Sequence, residues 1–216
     1  EIIKKAAPDF AGLQEVDMYR LLTPLLAPYK FIKEPQNMCA ILYDSTKYRE
    51  LEAGTIPFHE KISHRIRCLN WALFEALDSK KKIIVTNTHW DLTDKTRAIN
   101  SEKMVLYITE LQKKFPGVPI VCTGDFNTFT KKLPLQNFMQ KTGLKDAIET
   151  APAVENKRVC SYFYPFCQKK PPTPSYHIDH IIATDDLRPL SASLICGGIV
   201  YEASDHLPVI ADFVWE

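Results

Sequence analysis

"PIVCTGDFNTFTKK", residues 119–132, runs from an apolar strand pattern into an acid, an aromatic residue, an amide and a polar turn. Ile120, Val121 and Cys122 fit a buried strand, and alternation sets Val121, Thr123, Asp125 and Asn127 on one face. A carboxylate and an amide therefore leave the strand side by side at its C-terminal lip. Two readings stay open on these residues alone. Asp125 starts an Asx-turn and Asn127 caps the next element, or both side chains serve a common ligand.

Upstream, "KKIIVTNTHW" (81–90) is the clearest strand pattern in the chain, and "DKTRAINSEKMVLYITELQKKF" (94–115) is a long helix, apolar at Ile99, Val105, Leu106, Ile108 and Leu111, stopped by Pro116-Gly117. "NMCAILYD", "KYRELEAGTIPF" and "RIRCLNWALFEAL" are extended runs rich in β-branched and aromatic residues. Residues 1–7 read as the end of a helix stopped by Pro8, "DFAGLQEV" as a short buried strand, and "DMYRLLTPLLAPY" as a helix interrupted by Pro24. Downstream come a helix near 134–142, a Pro- and aromatic-rich loop, and two final strands, "YHIDHIIAT" and "LPVIADFVW", flanking an irregular stretch from 185 to 205. Strands that alternate with helices in some places and follow one another directly in others predict a mixed-sheet α/β protein.

With 216 residues and 45% hydrophobic content, the chain is expected to be a single domain over 1–216. Lys+Arg 27 against Asp+Glu 26 leaves a net charge of +1, well short of the strongly basic balance of a dedicated duplex binder. The six cysteines, at 39, 68, 122, 160, 167 and 196, include no CxxC pair or zinc-finger spacing, so reduced thiols are the expectation. Cys160 and Cys167 bracket a loop and could approach each other, a disulfide there being the lesser alternative to reduced thiols. No apolar run approaches a transmembrane length and the first residues do not form a signal peptide, which favours a cytoplasmic location.

The polar residues that interrupt the apolar strands form a set. Glu15 closes "AGLQEV", Asn87 and His89 close "IIVTNTHW" on the face of Ile83 and Val85, and Asp125 and Asn127 close the opening strand. Asp179 sits within "YHIDHII", and Asp205 with His206 precedes the last strand. Each would cost several kcal/mol to bury alone, so convergence at one rim around water or a cation is the cheaper arrangement. Carboxylate and amide oxygens without cysteine suit a hard divalent ion, Mg2+ or Mn2+, and disfavour zinc. Histidines beside acids supply a base for water and a cationic donor for phosphate oxygens. Phosphoester hydrolysis is the reaction class these groups suit.

"LQEV", "NTHW", "GDFN", "HIDHI" and "SDHLPV", in this order between Asp9 and Phe213, resemble the ordered signature of the endonuclease/exonuclease/phosphatase superfamily, the fold of pancreatic-type deoxyribonuclease and abasic-site endonucleases. The spacing of Arg67 to Trp71 and the later Arg97 are similar to its small bacterial branch. The resemblance implies a deoxyribonuclease-I-like, four-layer α/β sandwich: two mixed β-sheets face to face with helices outside. It implies Glu15 as the principal metal ligand, with Asp205 close to the ion or its waters. Asp179 would orient His206, the general base; Asp125 and Asn127 would position the water and a phosphate oxygen, which would account for their spacing; His89 would stabilise the phosphoryl charge or assist the leaving oxygen. Asn87, Arg67, Arg97 and His177 stand either as phosphate contacts or as support for them. His180, on the opposite face to Asp179, is read as a packed or surface histidine, and Tyr162, Phe163, Tyr164 and Phe166 as a stacking surface or a core plug.

Members of the superfamily usually open with a strand ending in asparagine, and against that pattern this sequence is one strand and a loop short. The expected function is hydrolysis of a phosphomono- or phosphodiester. The near-neutral charge favours a sugar or nucleotide phosphate over duplex DNA, and a nuclease acting on DNA or RNA is the alternative. The non-enzymatic alternative is a pseudoenzyme or binding module that retains the fold. Its expected mark, lost ligands, is absent at Glu15, Asp125, Asn127, Asp179, Asp205 and His206.

Overall fold

The computed structural model describes residues 1–16, 19–32, 39–58, 67–163 and 176–215. Its centre is a six-stranded mixed sheet in the order β4 (Tyr48–Pro57), β5 (Cys68–Ala76), β6 (Lys82–His89), β7 (Ile120–Asp125), β10 (Asp179–Ala183) and β8 (Lys145–Asp146). Only the β6–β7 pair is parallel, and it is joined by α3 (Asp94–Lys114), the crossover that parallel neighbours require. Thr93 caps α3, its hydroxyl accepting the Thr96 N–H. Met104, Ile108 and Leu111 of α3 and Leu135 and Phe138 of α4 (Leu133–Thr142) pack on Leu69, Trp71, Leu73, Ile84, Ile120, Cys122 and Ile182, the outer face of the sheet.

Two three-stranded sheets complete the β-structure. One has the order β1 (Phe10–Leu13), β3 (Ala40–Asp44), β2 (Tyr29–Phe31); the other β12 (Val209–Trp215), β11 (Leu187–Leu194), β9 (Ala153–Glu155). Ile41 and Tyr43 of β3 meet Ala72, Phe74, Ile83 and Val85 on the inner face of the large sheet. Beyond the small sheets lie α1 (Ile2–Ala6) and α2 (Tyr19–Leu22), whose Ile3 and Leu22 pack on Leu26, Tyr29 and Leu42, and α5 (Ala147–Thr150) and α6 (Val200–Ala203), whose Ile148 and Val200 pack with Ala192 and Leu194. Among the described residues the sheets are thus one large and two small rather than two, with helices on both outer sides.

The interval 185–205, expected to be irregular, contains the eight-residue strand β11 and α6. Pro189 concealed the strand, because proline cannot donate to a ladder; it sits where the β11–β12 register slips between Pro189 and Ser191. "DFAGLQEV" forms the short strand β1, but its residues are only half-buried. Cys160 is a buried free thiol, in line with the expectation of reduced thiols, while Cys167 and the expectations for Tyr164 and Phe166 fall outside the described residues. No described helix is long and apolar enough to cross a membrane.

Candidate active site

The inner face of the large sheet changes character along its strands. On β6 it runs Ile83, Val85, Asn87, His89; on β7, Val121, Thr123, Asp125; on β10, Ala183, Ile181, Asp179. Apolar residues lie under the small sheets, amides and a hydroxyl come next, and ionisable groups reach the rim. The register makes rows of these positions. His89 pairs with Asp125 and Asp125 with Asp179, so an imidazole and two carboxylates lie in line across three adjacent strands. One step inward, Thr55, Asn70, Asn87 and Thr123 form a second row across four strands.

In the rim row, His89 Nε2 is 3.2 Å from Asp125 Oδ2. Asp125 Oδ1 accepts the Asn127 N–H at 2.8 Å, the Asx-turn. Asn127 has φ 50°, so the strand alternation ends at Asp125 rather than continuing through Asn127. Its side-chain amide donates to the Trp90 carbonyl at 2.9 Å, and its own carbonyl accepts from Arg97 Nη1 at 2.8 Å. The spacing of Asp125 and Asn127 is therefore a turn that holds the loop against the rim.

His206 joins the row from another part of the chain. Residues 205–207 pair with 161–163 through an antiparallel bridge between Tyr162 and His206, flanked by Phe163 N–H to Asp205 O and Leu207 N–H to Ser161 O. His206 Nδ1 lies 3.0 and 2.9 Å from the two Asp179 oxygens. Its Nε2 is 4.0 Å from Asp125 Oδ2. Ser161 gives its hydroxyl proton to Asp179 Oδ2 at 2.7 Å and accepts the N–H groups of Ile178 and Asp179. One tripeptide thus places both the carboxylate and its histidine. Tyr162 packs its ring against the His206 imidazole with 5.0 Å between centroids and is 37% exposed, whereas Phe163 is buried core.

Burial disfavours the His206 cation, but the hydrogen bond and charge of Asp179, with Asp125 and Asp205 nearby, outweigh it and lift its pKa to about 9. Burial, helped by the facing Asp125 charge, keeps the Asp179 carboxyl above its ordinary value, although the pairing with His206 draws it down. Two carboxylates side by side in a buried row thus favour the cationic form of the ring when no other positive charge lies beside them. One ligand atom each from Asp125, Asp179 and His206 lies within 4.8 Å of the others, making these three a candidate metal site among the described residues. Crowded carboxylate oxygens fit a hard divalent cation, whose charge would offset that of the carboxylates and favour the neutral ring.

The remaining residues expected from the sequence divide between the rim and its supports. Glu15 is exposed, at φ 57°, two residues beyond the end of β1, and Asp205 is half-buried beside His206; neither belongs to the group of three. Asn87 is fully buried and held on both ends: its amide donates to Leu13 O and Ala40 O, both at 2.9 Å, and its Oδ1 accepts from Gln14 at 2.6 Å, with the Thr123 hydroxyl 3.2 Å away. Both its donors are engaged by backbone carbonyls, so it supports the site rather than reaching a substrate. Arg97 spends its guanidinium on Leu92 O, Asn127 O and Asp94. Arg67 Nε makes a long contact of 3.4 Å with Asp91. His177 donates from Nε2 to Val159 O, and burial lowers its pKa. His180 is packed: its ring nitrogens reach Asp146 at 2.7 Å and Thr128 O at 2.9 Å. Burial opposes its cation, but the pairing with Asp146 prevails and raises its pKa.

Sequence reasoning missed Ser161, Gln14, Thr123 and Asn70. Ser161 lies in a loop with no periodic pattern, and the others read as ordinary strand residues until the register is known. A cavity lined by Lys145, Thr150, Arg188 and Phe213 opens at the Ala183 end of β10, opposite Asp179, and is not part of this site.

A sandwich whose strand ends gather two carboxylates and two histidines belongs to a recognisable class, and the comparisons with known proteins agree. The family model described as "Endonuclease/Exonuclease/phosphatase family" matches residues 1–206, and the chain belongs to that family. Protein angel of Drosophila melanogaster is 28% identical over 115 residues; the match takes in 50% of this chain and 32% of that protein, about a third of its length. A family structure from Bacteroides vulgatus superposes with a TM-score of 0.86 at 24% identity, over 100% of this chain and 88% of that one. A mannosyl-6-phosphatase from Bacteroides thetaiotaomicron superposes with a TM-score of 0.84 at 21% identity, over 99% and 88%. The fold is that of deoxyribonuclease-I-like family structures.

Proposed function

We propose that this chain is a divalent-metal-dependent phosphoesterase that hydrolyses a small phosphomono- or phosphodiester by in-line attack of water. The observation that carries the reading is the row His89–Asp125–Asp179 with His206 seated on Asp179. Because Nδ1–H of His206 is held by Asp179, the neutral ring turns its Nε2 lone pair toward the space beside Asp125. There it takes a proton from water, and Asp179 stabilises the imidazolium that results. His89, braced by Asp125, offers a donor to a phosphoryl oxygen or the leaving oxygen. A cation of the hard class, Mg2+ or Mn2+, at Asp125 and Asp179 with Glu15 and Asp205 near it, would supply positive charge that stabilises the phosphoryl oxygens and acidifies water. Asn127 is held to position rather than to move, since its N–H, side-chain amide and carbonyl are all engaged.

The net charge of +1 supports a small ester over duplex DNA. The fold shared with a protein described as a mannosyl-6-phosphatase puts sugar phosphates first among the substrates to try. The test is a panel of sugar phosphates, nucleotides, bis(p-nitrophenyl) phosphate, single-stranded oligonucleotides and plasmid, each with Mg2+ or Mn2+ and with EDTA. Metal-dependent turnover of the small esters is expected; no metal-dependent turnover of any substrate would overturn the reading.

A further inference from the structure

The row one step inside the rim has no place in the chemistry above, yet it is built entirely of buried or half-buried polar groups. Thr55 donates its hydroxyl proton to Asn70 Oδ1 at 2.5 Å, and Asn70 donates to Cys39 O at 2.6 Å. Asn87 donates to Ala40 O and Leu13 O, and Thr123 donates to Thr86 O at 2.9 Å and lies 3.2 Å from Asn87 Oδ1. A polar ladder across β4, β5, β6 and β7 therefore takes hold of β1 and β3, the strands of the facing sheet. Only one end of it touches β1, at Asn87 and Thr123.

The grip on β1 is close. Gly12 sits so near that an added Cβ would overlap the Thr123 hydroxyl and come within 2.6 Å of Asn87 Oδ1. The next carbonyl, Leu13 O, is held by Asn87 at 2.9 Å, and Gln14 turns its side chain back onto Asn87 Oδ1 at 2.6 Å. Glu15 comes next at φ 57°, a conformation that costs a non-glycine residue energy and persists only where its surroundings impose it. The direction of β1 matters too. Phe10 packs on Phe74, at the apolar end of the inner face, and Gln14 reaches Asn87, so the chain is travelling toward the rim row when it arrives at Glu15.

We infer that Asn87 and Gln14 are positioning residues: they clamp the end of β1 and thereby hold the Glu15 corner for its part at the cation site. The inference rests on the hydrolase reading in giving Glu15 that part. A buried amide with both donors and an acceptor position engaged by two different segments is stiff, and ligands held by such outer partners lose about 10- to 100-fold in metal affinity when the partner is removed.

The test uses direct Mn2+ binding to the full chain, followed by electron paramagnetic resonance of the free ion, with thermal melting recorded for each variant. Gln14→Met removes one hydrogen bond while keeping the bulk; Asn87→Ser removes the clamp. Thr55→Val breaks the same ladder at the end that does not touch β1, and Glu15→Gln marks the loss of the acid itself. The expected result is that Gln14→Met and Asn87→Ser weaken Mn2+ binding by about tenfold or more, toward Glu15→Gln. Thr55→Val should lower the melting temperature and leave Mn2+ binding as in the parent chain. Should Asn87→Ser fail to fold, Gln14→Met carries the comparison. Parent-like binding in Gln14→Met alongside weakened binding in Glu15→Gln would overturn the positioning role alone. Parent-like binding in Glu15→Gln, or no binding by the parent chain, would remove the cation-site role of Glu15 and the inference with it.

Discussion

Replacing Gly12 by alanine tests how tightly the two sheets are locked. The new methyl would overlap the hydroxyl of the half-buried Thr123 and press on the fully buried Asn87. Forcing a methyl into a filled interior costs about 1–3 kcal/mol. Displacing Thr123 also weakens its hydrogen bond to Thr86 O, at about 0.5–1.5 kcal/mol. Together these give a loss of about 1.5–4.5 kcal/mol, a large share of the stability of about 5–15 kcal/mol typical of a folded domain. In a chain of this size it corresponds to a melting temperature lower by roughly 3–18 °C. Urea unfolding followed by tryptophan fluorescence should show a lower midpoint at unchanged slope. The control is a double-mutant cycle with Thr123→Ala. Removing the hydroxyl takes away one of the groups the methyl meets, so the double variant should be more stable than the sum of the singles by about 1 kcal/mol or more. A Gly12→Ala protein within about 0.5 kcal/mol of the parent chain, the size of an ordinary surface change, or a strictly additive cycle, would refute the close contact of β1 with the ladder.

His206→Ala should reduce kcat by about 10²- to 10⁴-fold, the usual contribution of a positioned base, while Mn2+ still binds; an unchanged kcat would take His206 out of the reaction. Glu15→Gln should raise the Mg2+ concentration needed for half-maximal rate, measured on whichever small ester is turned over. For pH, the folded-state pKa of His206, about 9, lies above its ordinary 6.5. The pairing with Asp179 therefore stabilises the fold fully below about pH 6.5, and the stabilisation is lost as pH rises through about 9. Urea midpoints measured without divalent cation should show this fall in the parent chain and a flatter profile in His206→Gln; identical slopes would count against the ion pair. Ser161→Ala, which takes a proton donor from Asp179, should lower kcat by roughly tenfold with KM little changed, and equal loss in both parameters at full folding would point to a different role.

Much of the fold was legible because hydrophobic periodicity is local. "KKIIVTNTHW", the α3 stretch and the opening strand carry their patterns within a dozen residues or so, and each became the element it predicted. β11 was not legible, since its proline and serines carry a weak strand signal and its place is decided by β12 and β9 on either side. The candidate site was legible as a set of residue types, because an acid, amide or imidazole at the end of an apolar strand is costly unless something needs it there. Which of them meet was not. Asn127 and Asn87 looked alike in the sequence, yet one ends a turn and the other is a buried tie between sheets.

By itself, then, the sequence determined the α/β class, the family signature and the short roster of polar residues that interrupt the strands. Tertiary structure alone decided that His89, Asp125 and Asp179 share a row, that Ser161 holds Asp179, and that His206 arrives beside it from a distant loop. The reason is that strand register and loop pairing are long-range. A shift of one residue would turn Asp125 from the inner face to the outer, and no local property of "GDFN" forbids it. What forbids it is the packing of Ile83, Val85 and Phe74 against the small sheets, which sets the register of every strand at once.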